Sequence, residues 1–231
     1  MKKLKRLSGF KTKTEVVYDF LKKNILNGRY PPGEKIVISV IARQLDVSDI
    51  PIREAIKRLQ TEGLLDITPH VGAKVVEIDQ NEFEQITLIR AELEGLATRL
   101  SINYLAEKDF KELDRLNREG DVLVENKSYR QLAELNKKFH FTIYQSLPHN
   151  VIIKTISDLW DKARMQPHVF TYSLDRCRQS QKEHKRVVQA LKKGDGNTAS
   201  EIVKKQKIDA SNHLWKFLDK RKMQKENIKS V

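Results

Sequence analysis

Residues 47–65, VSDIPIREAIKRLQTEGLL, constrain this chain more than any other stretch. Ser48 is placed to cap a helix, and Pro51 falls in its first turn, where a missing N–H costs little. The helix therefore starts at Asp49 or Ile50. Ile52, Ala55, Ile56 and Leu59 recur at helical spacing as a buried stripe, and Gly63 is placed to end the helix in a left-handed conformation. Asp49, Arg53 and Lys57 share another face at four-residue steps. An ordinary surface helix and one built to lie against phosphate both read this way, so the flanks must decide.

Upstream, Thr12 and Glu15 form a capping box, followed by apolar Val16, Val17, Phe20, Leu21 and Ile25 before Gly28. RYPPGEK forces a turn, and VISVIARQLD fits a second short helix. Downstream, LLDITPHVGAKVVEI carries β-formers on both sides of a Pro and Gly turn, as a two-stranded wing would. Three helices followed by a hairpin is the winged helix-turn-helix order, in which the third helix enters the DNA major groove. From about residue 80 long amphipathic patterns take over, with breaks near 105–108, 126–128, 147–150 and 192–197. The expected fold is mainly α: a winged helix-turn-helix domain over 1–78, with a basic tail at 1–11, and an all-α bundle over 79–231.

Charge agrees with a nucleic-acid partner. The chain carries 44 basic and 31 acidic residues, net +13, and the excess is denser at the front, where the first 76 residues hold 15 basic against 8 acidic. The single cysteine, Cys177, excludes an internal disulfide and any Cys-based metal spacing. No apolar core follows the basic start, and no run of about eighteen apolar residues occurs. A cytoplasmic protein with no membrane partner is expected.

The opening stretch, with PPGEKI before it and TPHVGAKV after it, resembles the GntR family of bacterial transcription regulators. The shared features are Pro32 and Gly33, Ser48, PIREAIKRLQTEGLL, and Pro69 with Gly72. The second half is similar to the FCD ligand-binding domain of the FadR subgroup, through LIRAELEGLATRLS, LNKKFHFTIYQS and EHKRVVQALKKGD. The resemblance implies a homodimeric regulator, a repressor before an activator, that binds a double-stranded DNA operator and answers to a small organic acid. Arg53 matches the family's arginine and is the first candidate for phosphate or a guanine edge. Asp49 and Ile50 stand where the family commonly has a basic residue and a threonine. Asp49 should repel phosphate and could accept from a cytosine amino group. Ser48, Lys57, Arg58, Ser39, His70, Gly72 and Lys74 are weaker DNA-contact candidates, and the tail residues Lys2, Lys3, Lys5 and Arg6 could add nonspecific affinity.

In the helical half, His140, His184 and His213 each fall on the apolar stripe of a separate expected helix, with Asn136 one turn before His140. Three inward imidazoles and a side-chain oxygen can converge on a divalent metal, zinc first, with nickel or manganese as alternatives. The metal-binding relatives usually carry an aspartate where Asn136 stands, so a metal here would keep more of its positive charge and would draw an anion. Arg90 matches a family arginine that faces the ligand and could clasp the effector carboxylate, with Arg164 as a second clasp. The plainer role for Arg90 is an ion pair with Glu94. His149 and His168 read as surface or packing residues, and Tyr144 and Trp160 as core. A zinc hydrolase is the main competing class, although no HExxH or similar spacing appears beside the histidines. A DNA architectural protein without effector is the third.

Overall fold

The computed structural model describes residues 11–68, 72–77, 79–164, 169–171 and 173–229, with side chains as far as 218 except Thr171. The chain divides into two compact units, residues 1–78 and 79–231. His70, His168, Pro69 and residues 1–10 of the basic tail lie outside the described residues.

In the first unit, α1 (Lys13–Leu26) starts at the capping box: the Glu15 N–H donates to Thr12 Oγ1 at 3.1 Å, and the Thr12 N–H donates to Glu15 Oε2 at 2.7 Å. Its buried side carries Val17, Tyr18, Leu21 and Ile25. Helices α2 (Ile38–Leu45) and α3 (Asp49–Thr61) follow, and α3 buries Pro51, Ile52, Ala55, Ile56 and Leu59. Ser48 occupies the N-cap position in extended conformation, yet its hydroxyl makes no capping hydrogen bond. The sheet has three strands where the sequence suggested two. β2 (Leu65–Thr68) pairs antiparallel with β3 (Gly72–Val75), and β1 (Lys35–Ile36) joins the other edge of β3. Two residues are too few to show alternation, which is why β1 was hidden in the turn-forming segment. Gly33 lies beside that edge: its φ is +80°, and a Cβ there would run into the Glu77 carboxylate.

A polar knot fixes α1 against the end of α3. The Tyr18 hydroxyl donates to Glu62 at 2.7 Å, and Lys22 Nζ lies 2.8 Å from Glu62 Oε2. The Arg58 guanidinium stacks 3.7 Å above the Tyr18 ring.

The second unit is a helix bundle. Its elements are α4 (Gln80–Ser101), α5 (Glu107–Glu125), α6 (Tyr129–Tyr144), α7 (Asn150–Ala163), a 3₁₀ turn (Val169–Thr171), α8 (Leu174–Lys192) and α9 (Gly196–Lys229). Helix α4 packs along α9, α8 against α9, and α5 against α6 and α8. The α4–α9 approach needs Gly95, where a Cβ would meet Lys204 Cγ at 2.7 Å. Leu113, Leu116, Leu132, Phe139, Ile143, Ile156, Val187 and Val203 are buried in the bundle core. Among them sit many buried polar groups, including Glu94, Asn136, His140, Arg176, His184, Gln206 and Lys207. Burial of that kind is costly unless the groups answer one another.

The facing of α3 is testable. Ile52 is fully buried and Ile50 is 69% exposed, two residues apart on one helix. Ile52→Ala should lower stability by about 2–5 kcal/mol, and Ile50→Ala should change it by less than about 0.5 kcal/mol. Urea denaturation of the full chain measures both.

Candidate functional site

The winged unit presents a polar face at the start of α3. Ser39, Ser48, Asp49, Arg53, Lys57 and Lys74 are all exposed. Arg53 Nη2 lies 3.8 Å from Asp49 Oδ2, and both side chains are more than half exposed. An open i,i+4 pair of this kind contributes at most about 0.5 kcal/mol, so it restrains Arg53 little. Arg58 is exposed as well, and its guanidinium also lies over Tyr18, with Nε 3.4 Å from Glu62 Oε1, so it helps to hold α1 and α3 together. Gly72 opens β3 at φ +100°. Ile50, which was not among the candidates, is an apolar side chain standing in solvent beside Asp49.

The helical unit holds a different kind of site, centred on a carboxylate. Glu94 on α4 is fully buried. It accepts from Arg90 Nε at 3.0 Å and from the Tyr144 hydroxyl at 2.8 Å, and Lys207 Nζ lies 3.0 Å from its Oε2. Burial alone would push Glu94 upward, but Lys207 and Arg90 together hold its carboxyl below the usual range, so it is ionised. Lys207 is 7% exposed, and burial pushes its ammonium down to about 8 against the upward pull of Glu94. The Tyr144 oxygen also lies 3.3 Å from His140 Nδ1. His140 and His184 stand edge to face with ring centres 5.1 Å apart. Both are held well below the ordinary imidazole value, first by burial and then by the Lys207 ammonium, so both are neutral. Trp160 on α7 closes the group: the Arg90 guanidinium lies 4.3 Å and Lys207 Nζ 4.8 Å from its ring centre. Next to this cluster, Arg176 and Glu183 form a buried pair at 2.7 Å.

The four expected metal ligands do not come together. His140 and His184 meet and Asn136 is buried one turn before His140, but His213 is exposed and its Nδ1 lies 2.8 Å from the Asp209 carbonyl of its own helix. The buried stripe of α9 runs through Val203, Gln206, Lys207, Ser211 and Leu214, which puts His213 to one side. What α9 turns toward His140 is the Gln206 side chain and the Lys207 ammonium. Two imidazoles and an amide beside a fixed ammonium and the guanidiniums of Arg90 and Arg176 do not fit a divalent transition metal, which those cations would repel. Among the described residues, no group of three or more His, Cys, Asp or Glu could hold a metal ion. Arg164 also departs from expectation: it caps α7 and pairs with Glu134 at 2.5 Å. Arg90 does make the pair with Glu94, but shares that carboxylate with Lys207.

Lys207 and the role of Tyr144 were missed in the sequence. The signal was present: Lys207 lies four residues after Val203 and seven before Leu214, on the apolar stripe, where a lysine needs a partner.

The cluster predicts a large, asymmetric cost. Glu94→Gln would leave two buried cations without their counter-ion and should lower stability by about 3–5 kcal/mol. Adding Lys207→Met should recover much of that loss, because the surplus cation leaves too. Urea unfolding of both variants near neutral pH decides; a single variant within about 1 kcal/mol of the parent would show that the network is not ionised as drawn.

Comparison with known proteins agrees with both units. Residues 13–75 match the model of the bacterial regulatory proteins, gntR family, and residues 85–206 match the FCD domain. The chain is 29% identical over 188 residues to the HTH-type transcriptional regulator YdhC of Bacillus subtilis, covering 80% of this chain and 84% of that one. It is 30% identical over 147 residues to the HTH-type transcriptional regulator McbR of Escherichia coli, covering 64% and 66%. The solved structure of Escherichia coli McbR/YncC superposes with a TM-score of 0.77 at 25% identity, over 90% of this chain and 99% of that one. Among the described residues no helix is long and apolar enough to cross a membrane. The winged unit, the helical unit and these matches make the chain a member of the GntR family with an FCD domain, a DNA-binding transcription regulator and not an enzyme.

Proposed function

We propose that the protein is an effector-responsive regulator that binds its operator as a homodimer and takes a small organic anion, without a metal, in the buried cluster of the helical unit. The observation that supports this most is that Arg90 and Lys207 share one carboxylate, Glu94, beside two neutral imidazoles. The Arg176–Glu183 pair balances itself, so the cluster carries one positive charge in excess. A buried cation with incomplete compensation is stabilised by an incoming carboxylate. A symmetric dimer would place two winged units on a roughly palindromic site.

On the DNA side, Arg53 is the residue we assign to a guanine edge or phosphate, with Ser48 and Lys57 on phosphate and Asp49 turned to a cytosine amino group. The free Ser48 hydroxyl and the loose Arg53–Asp49 pair leave these groups available.

Two measurements test this reading. On a duplex selected from random sequence by the full chain, Arg53→Ala should cost about 1–3 kcal/mol of binding, while Asp49→Arg should tighten binding to any duplex by removing a like-charge repulsion. Binding unchanged in both variants would remove α3 from the DNA. A panel of small carboxylic acids should include members that shift the operator affinity of the parent protein and fail to shift that of Lys207→Met. The direction of the shift gives the sign of regulation; no shift with any acid would overturn the effector assignment.

A further inference from the structure

Ile50 is an apolar side chain that the fold does not bury. Among the large apolar residues described in the winged unit it is the most exposed, at 69% against 54% for Val40. A single exposed isoleucine is ordinary on a protein surface, but the place of this one on α3 is not. At 3.6 residues per turn, Ile52 and Leu59, both fully buried, lie on the far side of the helix from it. Arg53 and Lys57, both exposed, lie on its own side, about 60° and about 20° around the helix. Ile50 therefore stands in the first turn, near the middle of the outward face and in line with the two cations assigned to DNA.

Its neighbours are committed elsewhere. Pro51 is buried, and Glu54, one turn on, accepts from the Thr14 hydroxyl at 2.7 Å. Isoleucine forms helices less readily than straight-chain residues, and here it gains no burial within the fold in return. Its branched side chain is stiff, so contact with a partner costs it little rotamer freedom.

The partner's chemistry follows from that place. When a recognition helix lies in the major groove, its N-terminal residues meet the base edges. Of the four bases only thymine presents an apolar group there, the C5 methyl. Over adenine, guanine or cytosine an isoleucine would take water from donors and acceptors and offer them nothing. Phosphate is excluded for the same reason, and the Asp49 carboxylate beside Ile50 repels it as well.

We propose that Ile50 is a specificity-determining residue that packs against the C5 methyl of one thymine in each operator half-site. The inference rests on the placement of α3 on DNA described above and adds the base that its apolar residue selects. It also accounts for an isoleucine whose removal should leave the stability of the fold nearly unchanged.

The test changes single atoms on the DNA. Deoxyuridine lacks only the C5 methyl of thymidine, so replacing each thymidine of the selected duplex in turn and measuring binding by the full chain locates the contact. At one thymidine per half-site the exchange should weaken binding by about fourfold, the value of one buried methyl group. Ile50→Ala should bind the two duplexes within about 1.5-fold of each other, and Ile50→Val should keep most of the preference. An exchange without effect at every thymidine, an equal effect in Ile50→Ala, or a selected half-site that contains no thymine would overturn the inference. Arg53→Ala on the same duplex separates it from the reading on which it rests. If that variant still binds more weakly, α3 remains on the DNA and only the role of Ile50 falls; if neither Arg53→Ala nor Ile50→Ala changes binding, both fall.

Discussion

One carboxylate organises the helical unit. Glu94 binds Arg90 on its own helix, Tyr144 on α6 and Lys207 on α9, and through the two cations it draws in Trp160 on α7. An isolated buried carboxylate would be too costly to keep charged, and so would either cation. Their mutual dependence fixes four helices in register around a polar centre in an otherwise apolar bundle. Two cations share one carboxylate there, so neither can lose it without leaving an uncompensated buried charge.

The winged unit follows a different logic. Its polar knot of Tyr18, Lys22, Arg58 and Glu62 ties α1 to the end of α3. Its reading face is loosely paired and exposed. A surface that must exchange solvent for phosphate gains from weak intramolecular pairs. The acidic Asp49 and apolar Ile50 at the start of α3 give this reading face less positive charge than the chain's net +13 would suggest.

The fold was legible in the sequence wherever a periodic signal was long. The Thr12–Glu15 box, the stripe from Ile52 to Leu59 and the helix breaks near 126–128 and 192–197 correspond to observed features. β1 escaped because two residues carry no pattern. The buried site was legible only in part. His140 and His184 stood out because a polar residue on an apolar stripe is conspicuous, and Arg90 with Glu94 because of their one-turn spacing. His213 misled for a geometrical reason: over a helix as long as α9, a residue one position from the stripe still sits near apolar neighbours such as Leu214 and Phe217. Lys207 was passed over because a lysine on a helix is ordinarily solvated. The expectation of a metal then followed from counting imidazoles without counting the cation among them. The shared use of Glu94 is not a property of spacing; it needs contacts between residues far apart in the chain.

The claim on which the rest turns is that Lys207 is a charged, buried ammonium at neutral pH. Nitrogen spectroscopy of the lysine side chains in the full-length protein, followed with pH, observes it directly. Lys207 should be protonated at neutral pH and lose its proton near pH 8, apart from the other lysines, because burial outweighs the hold of Glu94. A Lys207 nitrogen already neutral at pH 7, or titrating together with the surface lysines near 10.4, would contradict the account.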